Sequence, residues 1–529
     1  MKFKDLTDDQ IFQAKNIYQN KELSWDDRMK ELMNLFGKSE RTVRKWCSEK
    51  LGFKEKPDVE SEQYQVAKQR KTNKEQKMFI ITWAQNDTPV HKPFFENITA
   101  YAEYLNADIH VIAGRYKNPT SVFTDKDHEM WDNALVPYLD ANRHDVHKYV
   151  SIMSDFKIQP TATNPMSGLQ GVSGINSCVF GAPKVQLEMI SVLEGNKPKM
   201  MLTTGAVTKM NYTDSKSGKK GEFHHTYGFA IVEIADDETF YVRQVTANDK
   251  TGDFTDLCHR VEKGEVTKID TLSAIVFGDI HYGHHDQEVI DKTHEFLNKV
   301  KPEHVVLHDV FDGNSISHHE MKDPFIQFAK EVNDTNSVEK EINKMLDGLE
   351  SFKNYKNVVI VRSNHDDFLD RWLKNEDWKK QPTSKNSLVY MEYSAMLLKQ
   401  YAKGDIKGVI PEIINKRFPK FITLNRNASY IVKNWELGQH GDVGSNGSRG
   451  SLNQFRTLNT KIVVGHYHSP GRKDGALAVG TSTKLRVGYN IGPSSWLQSH
   501  VIIHKDGRAQ HINFVKNSKG ETGFTTFKI

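Results

Sequence analysis

Apolar and polar positions alternate with different periods along the chain, and the changes of period divide it into three stretches. Over residues 1–57 the apolar side chains recur at helical spacing in three short runs: Ile11, Ala14, Ile17 and Tyr18; then Met29, Leu32, Met33, Leu35 and Phe36; then Val43, Trp46 and Leu51. Ser24 precedes Trp25-Asp26-Asp27 as an N-cap with acids in the first turn, Gly37 stands where a helix stops, and Ser39 is placed to cap the next. Three short helices with a glycine turn before the last predict a helix-turn-helix unit, with KSERTVRKW opening its recognition helix. Residues 58–77 carry few apolar side chains and end in KQRKTNKEQK, a linker or exposed helix whose basic end fits either a solvated face or a phosphate contact.

From 78 to 265 the pattern turns to buried strands. MFIITWA (78–84) and DIHVIAG (108–114) flank a helical stretch from Phe94 to Leu105, a β-α-β start, and KMMLTTGAV, YGFAIVEIA and TFYVRQV read as further strands of an α/β domain of unknown role. The adjacent pairs His224-His225 and Cys258-His259 would point to opposite strand faces, so they are expected to be ordinary polar surface. The third stretch, 270–529, repeats one local pattern five times: an apolar run, then at once Asp, Asn or His. LSAIVFG (272–278) leads to Asp279 and His281, HVVL (304–307) to His308 and Asp309, NVVIVRS (357–363) to Asn364 and His365, SYIVKNWELGQ (429–439) to His440, and KIVVG (461–465) to His466 and His468. Between the third and fourth runs, residues 367–428 form an insertion containing two amphipathic helical patterns, FLDRWLKNEDWKK and NSLVYMEYSAMLLKQY. Its Arg371, Lys374, Lys379 and Lys380 either line a substrate channel or cover a packed lid.

Composition narrows the class without choosing it. A chain of 529 residues with 37% hydrophobic and 26% charged residues suggests several folded domains rather than disorder. A net charge of +4 is too small to argue for nucleic acid on its own. The local balance is different: residues 38–56 hold seven basic side chains (Lys38, Arg41, Arg44, Lys45, Lys50, Lys54, Lys56) against three acids. No stretch is apolar enough to span a membrane, and the acids in MKFKDLTDDQ do not suit a signal peptide, so a cytoplasmic protein is expected. Three scattered cysteines (Cys47, Cys178, Cys258) form neither a disulfide framework nor a zinc-knuckle spacing.

Strands of a buried sheet deliver side chains at their carboxyl ends, so five runs ending in this way can bring nine oxygen and nitrogen donors to one rim. Carboxylate, carboxamide and imidazole without thiolate favour Mn²⁺, Fe²⁺, Mg²⁺ or Zn²⁺. The blocks GDIH, HDVFD, SNHD, QHG and GHYHSP resemble, in order, the five signature blocks of calcineurin-like metallophosphoesterases over roughly half the chain. That resemblance implies an α/β fold, a metallophosphoesterase β-sandwich flanked by helices, and a dinuclear site with manganese as the first expectation. One ion would take Asp279, His281, Asp309 and His468, the other Asp309, Asn364, His440 and His466, with Asp309 bridging. It further implies that His365 stabilises the transition state or protonates the leaving oxygen, and that Asp312 orients His365. Two positions depart from the family: His308 and Ser363 stand where it usually has glycine, which puts the local turns in question but removes no ligand. His308 would then be a substrate contact or a hydrogen-bonded strand-end residue, and His284-His285 and His318-His319 substrate contacts or solvent-exposed.

The family includes phosphatases, nucleotidases, cyclic phosphodiesterases and nucleases, and the fold does not choose among them. Asp312-Gly313-Asn314 and Asp366 after His365 resemble the nuclease branch, and the whole arrangement is similar to phage-encoded members that degrade host DNA. Arg41, Arg44 and Lys45, on the early turns of the predicted recognition helix, are the candidate DNA contacts; a protein-interaction module is the other use of such a unit. The resulting expectation is a metal-dependent DNA nuclease acting in a host cytoplasm. The alternatives are a phosphatase or cyclic phosphodiesterase, and a DNA-binding or assembly protein with a vestigial metal site; a homo-oligomer is left open.

Overall fold

The structure, a computed structural model, describes all residues except 1–2, 21, 54–60, 74, 119, 121–128, 378, 380–383, 489 and 528–529. Lys54, Lys56, Lys74 and Lys380 of the basic stretches therefore lie outside the described residues. The chain folds as two compact units, Met1–Glu62 and Gln63–Ile529. It is a mixed α/β protein, and no helix among the described residues is long and apolar enough to cross a membrane.

The first unit is built on three helices. Asp8–Gln19 is capped by a reciprocal Thr7–Gln10 box, Trp25–Phe36 by Ser24, and Gly37 ends the second helix in the left-handed region (φ +59°) that a residue without Cβ adopts freely. Glu40–Lys45 follows and continues into a π-type turn, Trp46–Lys50. Ser39 stands at the N-cap of this helix, but its hydroxyl meets that of Thr42 (3.1 Å) instead of capping a backbone amide. Ala14, Met29, Leu32, Phe36, Val43 and Trp46 close a core of the unit's own.

In the second unit the expected strands form over Met78–Gln85, Asp108–Gly114, Lys199–Thr203, Gly228–Asp236 and Thr239–Thr246, and the helix between the first two covers Lys92–Leu105. Arg70, in the basic stretch, is turned inward: it donates to Asp108 (2.9 Å) and to the carbonyl of Ile109 (2.7 Å), a structural role rather than a phosphate contact. His225, Cys258 and His259 are buried, not surface: His225 ends the helix Lys216–His224 instead of lying on a strand, and His259 stands on the buried face of the strand His259–Glu262. His225 bonds Tyr212 Oη at 2.6 Å, and only His224 stays partly exposed, paired with Asp474.

Two sheets position the strand ends that carry the candidate donors. A six-stranded sheet has the order Ile422–Thr423, Val358–Ile360, Pro302–Leu307, Leu272–Val276, Ser499–Ile503, Ala509–Asn513, its first four strands mutually parallel. Period two sorts its residues: Ala274, Val276, Val306 and Val359 share one core with Trp435, Val463 and Leu477 of a second sheet, while Ile275, Val305 and Val358 face the helices Gln287–Val300 and Val338–Leu349. The second sheet has ten strands. It joins Trp435–Glu436, Lys461–Val464 and Ala476–Ala478 to Gln186–Ile190, Lys199–Thr203 and Val150–Met153, so it runs without a break from the middle stretch into the C-terminal one. The expected strand over 429–439 is instead a hairpin of Ile431–Val432 and Trp435–Glu436, turned at Lys433 and Asn434, both at positive φ.

Candidate metal centre

The five donor-bearing turns follow the carboxyl ends of strands in these two packed sheets. Asp279 and His281 follow Leu272–Val276, His308 and Asp309 follow Pro302–Leu307, and Asn364 and His365 follow Val358–Ile360. His440 follows Trp435–Glu436, and His466 and His468 follow Lys461–Val464. Asp279, His281, Asp309 and His468 each place one donor atom within 4.8 Å of the others, all four buried. His468 Nε2 lies 3.1 Å from both Asp279 Oδ2 and His281 Nε2, and Asp309 Oδ2 lies 3.4 Å from His281 Nε2. The same Asp309 oxygen is 3.1 Å from His440 Nε2, so this carboxylate stands between the two halves of the cluster. The His466 ring centre is 5.3 Å from that of His440, and its main-chain N–H donates to Asp279 Oδ2 at 2.7 Å.

The donor chemistry fits divalent cations. Three acceptor oxygens that carry no proton of their own, Asp279 Oδ1, Asp309 Oδ1 and Asn364 Oδ1, are buried without a hydrogen-bond donor among the described residues. A buried acceptor without a donor costs the fold its desolvation, and a cation supplies what the protein does not. The electrostatics agree. Burial opposes charge on His281, but Asp309, Asp312 and Asp279 overcome it and push the imidazole up to about 9; Asp309 and Asp279 do the same for His440. These protons must leave before either ring can ligate a metal.

His365 sits at the edge of the cluster, its ring 4.5 Å from that of His281. Its Nδ1 donates to the Asp312 carbonyl at 2.5 Å, while the Asp312 carboxylate lies 3.0 Å from His281 Nδ1. Asp312 thus contacts His365 through its main chain, and its carboxylate is directed at a candidate ligand instead. His284 Nε2 is 3.6 Å from the other Asp312 oxygen, and His285 bonds Gln287.

Both departures from glycine have a local cause. Ser363 Oγ accepts from Asp366 N (3.2 Å) and Asp366 Oδ2 accepts from Ser363 N (3.0 Å), a reciprocal cap that fixes the turn holding Asn364 and His365. His308 is fully buried, with Nδ1 3.4 Å from His440 Nδ1, and Gly465 leaves the room for it. A Cβ at position 465 would stand 2.4 Å from Asp279 Oδ1 and 3.0 Å from the His308 ring. Trp496, its ring 4.1 Å from that of His468, also walls the cluster and carries no local signal in the sequence.

The candidate DNA contacts stand on the third helix of the first unit. Arg41 and Lys45 are exposed; Arg44 is exposed too, but its guanidinium is held by Glu40 (2.6 Å) and lies over the Trp25 ring. Among known proteins, protein A1 of Escherichia phage T5 is 31% identical over 468 residues, which cover 84% of this chain and 83% of that protein. No protein-family model and no solved structure matches the chain.

Proposed function

This chain belongs to the family of protein A1 of Escherichia phage T5, and for it we propose a metal-dependent DNA nuclease that hydrolyses phosphodiester bonds at the buried Asp/His cluster. The observation that carries the proposal is the convergence of Asp279, His281, Asp309 and His468 within 4.8 Å, with Asp309 reaching on to His440. One metal position would use those first four residues, and a second Asp309, Asn364, His440 and His466. Cations held there would neutralise charge on the phosphate oxygens and acidify the attacking water.

The chain's own residues supply the rest. Asp309 presents its carboxylate to both halves of the cluster, the position a bridging anion needs. The Asp312 carboxylate and the His308 ring lie against the second nitrogens of His281 and His440, where they would orient the ligating atoms. His365 gives its Nδ1–H to the Asp312 carbonyl, which leaves Nε2 as the free ring nitrogen. Burial favours the neutral ring, so Nε2 would first take up a proton, which the nearby Asp309 charge favours, and then pass it to the leaving oxygen. Exposed Arg41 and Lys45 on a short helix support DNA as the polymer. A phage family makes host DNA in the infected cell the reading for its use.

Full-length protein incubated with linear, circular and single-stranded DNA tests this directly. Cleavage is expected with Mn²⁺ and none with EDTA; Asp309→Asn should abolish it, and His365→Ala should slow it by about 10²–10⁴-fold. Undiminished cleavage by both variants removes the assignment of the centre. High turnover on mononucleotides or phosphopeptides with intact DNA would mark a phosphatase instead.

A further inference from the structure

A row of rings leads from His365 to the surface. Phe368, on the helix Asp366–Asn375, lies 4.6 Å from the His365 ring at an interplanar angle of 30°. The ring of His318 meets Phe368 edge-on at 4.9 Å, and His319 lies 3.8 Å from His318. Arg371, one turn beyond Phe368, places its guanidinium 5.9 Å from that ring and donates to His318 Nε2 at 2.8 Å. Phe368 is buried, whereas His318, His319 and Arg371 are exposed.

Among the described residues no carboxylate pairs with Arg371, His318 or His319, although all three are basic and packed together. Burial, with the charges of His319, Arg371 and His365, pushes the His318 ring below its ordinary value, so it accepts the arginine's proton as a neutral ring. The Arg371 guanidinium keeps its charge and spare N–H donors with no acid against it, and an anion would accept them in charge-assisted hydrogen bonds. Exposed planar rings beside that anion position add a surface for a flat ligand. A phosphate joined to an aromatic base has both properties.

We propose that Arg371, His318 and His319, backed by Phe368, form a subsite for the nucleotide next to the scissile phosphodiester, Arg371 taking its phosphate and the histidine rings its base. The proposal rests on the nuclease reading of the centre, whose failure is read separately. The probes are a fluorescein-labelled pentathymidylate and the p-nitrophenyl ester of thymidine 5′-phosphate, both offered to the full chain. A single strand of five nucleotides presents no major groove to the N-terminal helices.

Arg371→Ala and His318→Ala should each weaken pentathymidylate binding by about 10-fold or more, and Arg371→Lys by less, because lysine keeps the charge without the fork. The loss in kcat/KM should be at least about tenfold greater on the pentanucleotide than on the nitrophenyl ester, which has no neighbouring phosphate. Unchanged affinity in both alanine variants overturns the subsite. So does an equal loss on the two substrates, which would mean that these residues only support His365. The nuclease reading fails separately, if the wild-type chain with Mn²⁺ cleaves neither these substrates nor linear or circular duplex DNA, and the affinity comparison then still decides whether the subsite exists.

Discussion

His281, Asp309, His466 and His468 hold φ values of +48°, +45°, +73° and +54°. Such conformations cost of order 1–3 kcal/mol each outside glycine, and they persist where surrounding structure over-determines them. Here the turns are held by bonds such as His466 N–H to Asp279 Oδ2 and His281 N–H to the Asp309 carbonyl (2.7 Å), so the strain is tied to the donors themselves. A second buried His/Asp group, His110, Asp140 and His144, behaves differently, since its atoms satisfy one another: Asp140 bonds His110 at 2.7 Å and His144 at 2.9 Å. Burial disfavours charge on both partners, yet the hydrogen bonds win, raising His110 above 6.5 and holding Asp140 below 3.8. The stabilisation from His110 is fully present below pH 6.5 and fades as pH rises through its folded value; that from Asp140 is present above 3.8 and fades as pH falls. Asp140→Asn should therefore cost about 3 kcal/mol at pH 6 and less as pH rises through the folded value of His110. Thermal midpoints across that range check it, and a cost independent of pH would contradict the pairing.

Among the elements, those announced by strong periodicity or caps formed where expected. Met78–Gln85 and Asp108–Gly114 are buried almost throughout and pair in parallel, and Ser24 and Gly37 bound a helix as a capping residue and a left-handed stop should. The 429–439 stretch did not form as one strand, because its turn rests on Lys433 and Asn434 at positive φ, and lysine gives no warning of that conformation. On the third helix of the first unit the pattern marked three basic residues alike, whereas Glu40 and Trp25 engage Arg44. On the proposed function, Arg41→Ala and Lys45→Ala should each reduce the slope of log K against log salt for duplex DNA by about 1. Arg44→Ala should reduce it less, since its charge is already partly neutralised. Equal effects from all three would mean that the Glu40 pair opens on binding.

At the scale of the molecule, the two compact units divide the proposed work. Residues 63–529 alone should hydrolyse the p-nitrophenyl ester within about threefold of the full chain but bind duplex DNA at least about tenfold more weakly, because the phosphate contacts of the first unit are gone. Equal duplex affinity would assign that unit another role. The sequence by itself determined which residues are the candidate donors and that they follow strands, because hydrophobic runs and the residues that end them are local properties of the chain. Only the tertiary structure decided that Asp312 turns its carboxylate to His281, that Gly465 makes room for His308, and that one sheet joins Gln186–Ile190 to Gly471–Lys473. Those outcomes depend on which atoms meet across hundreds of residues, and contacts between distant segments are set by packing that no local period encodes.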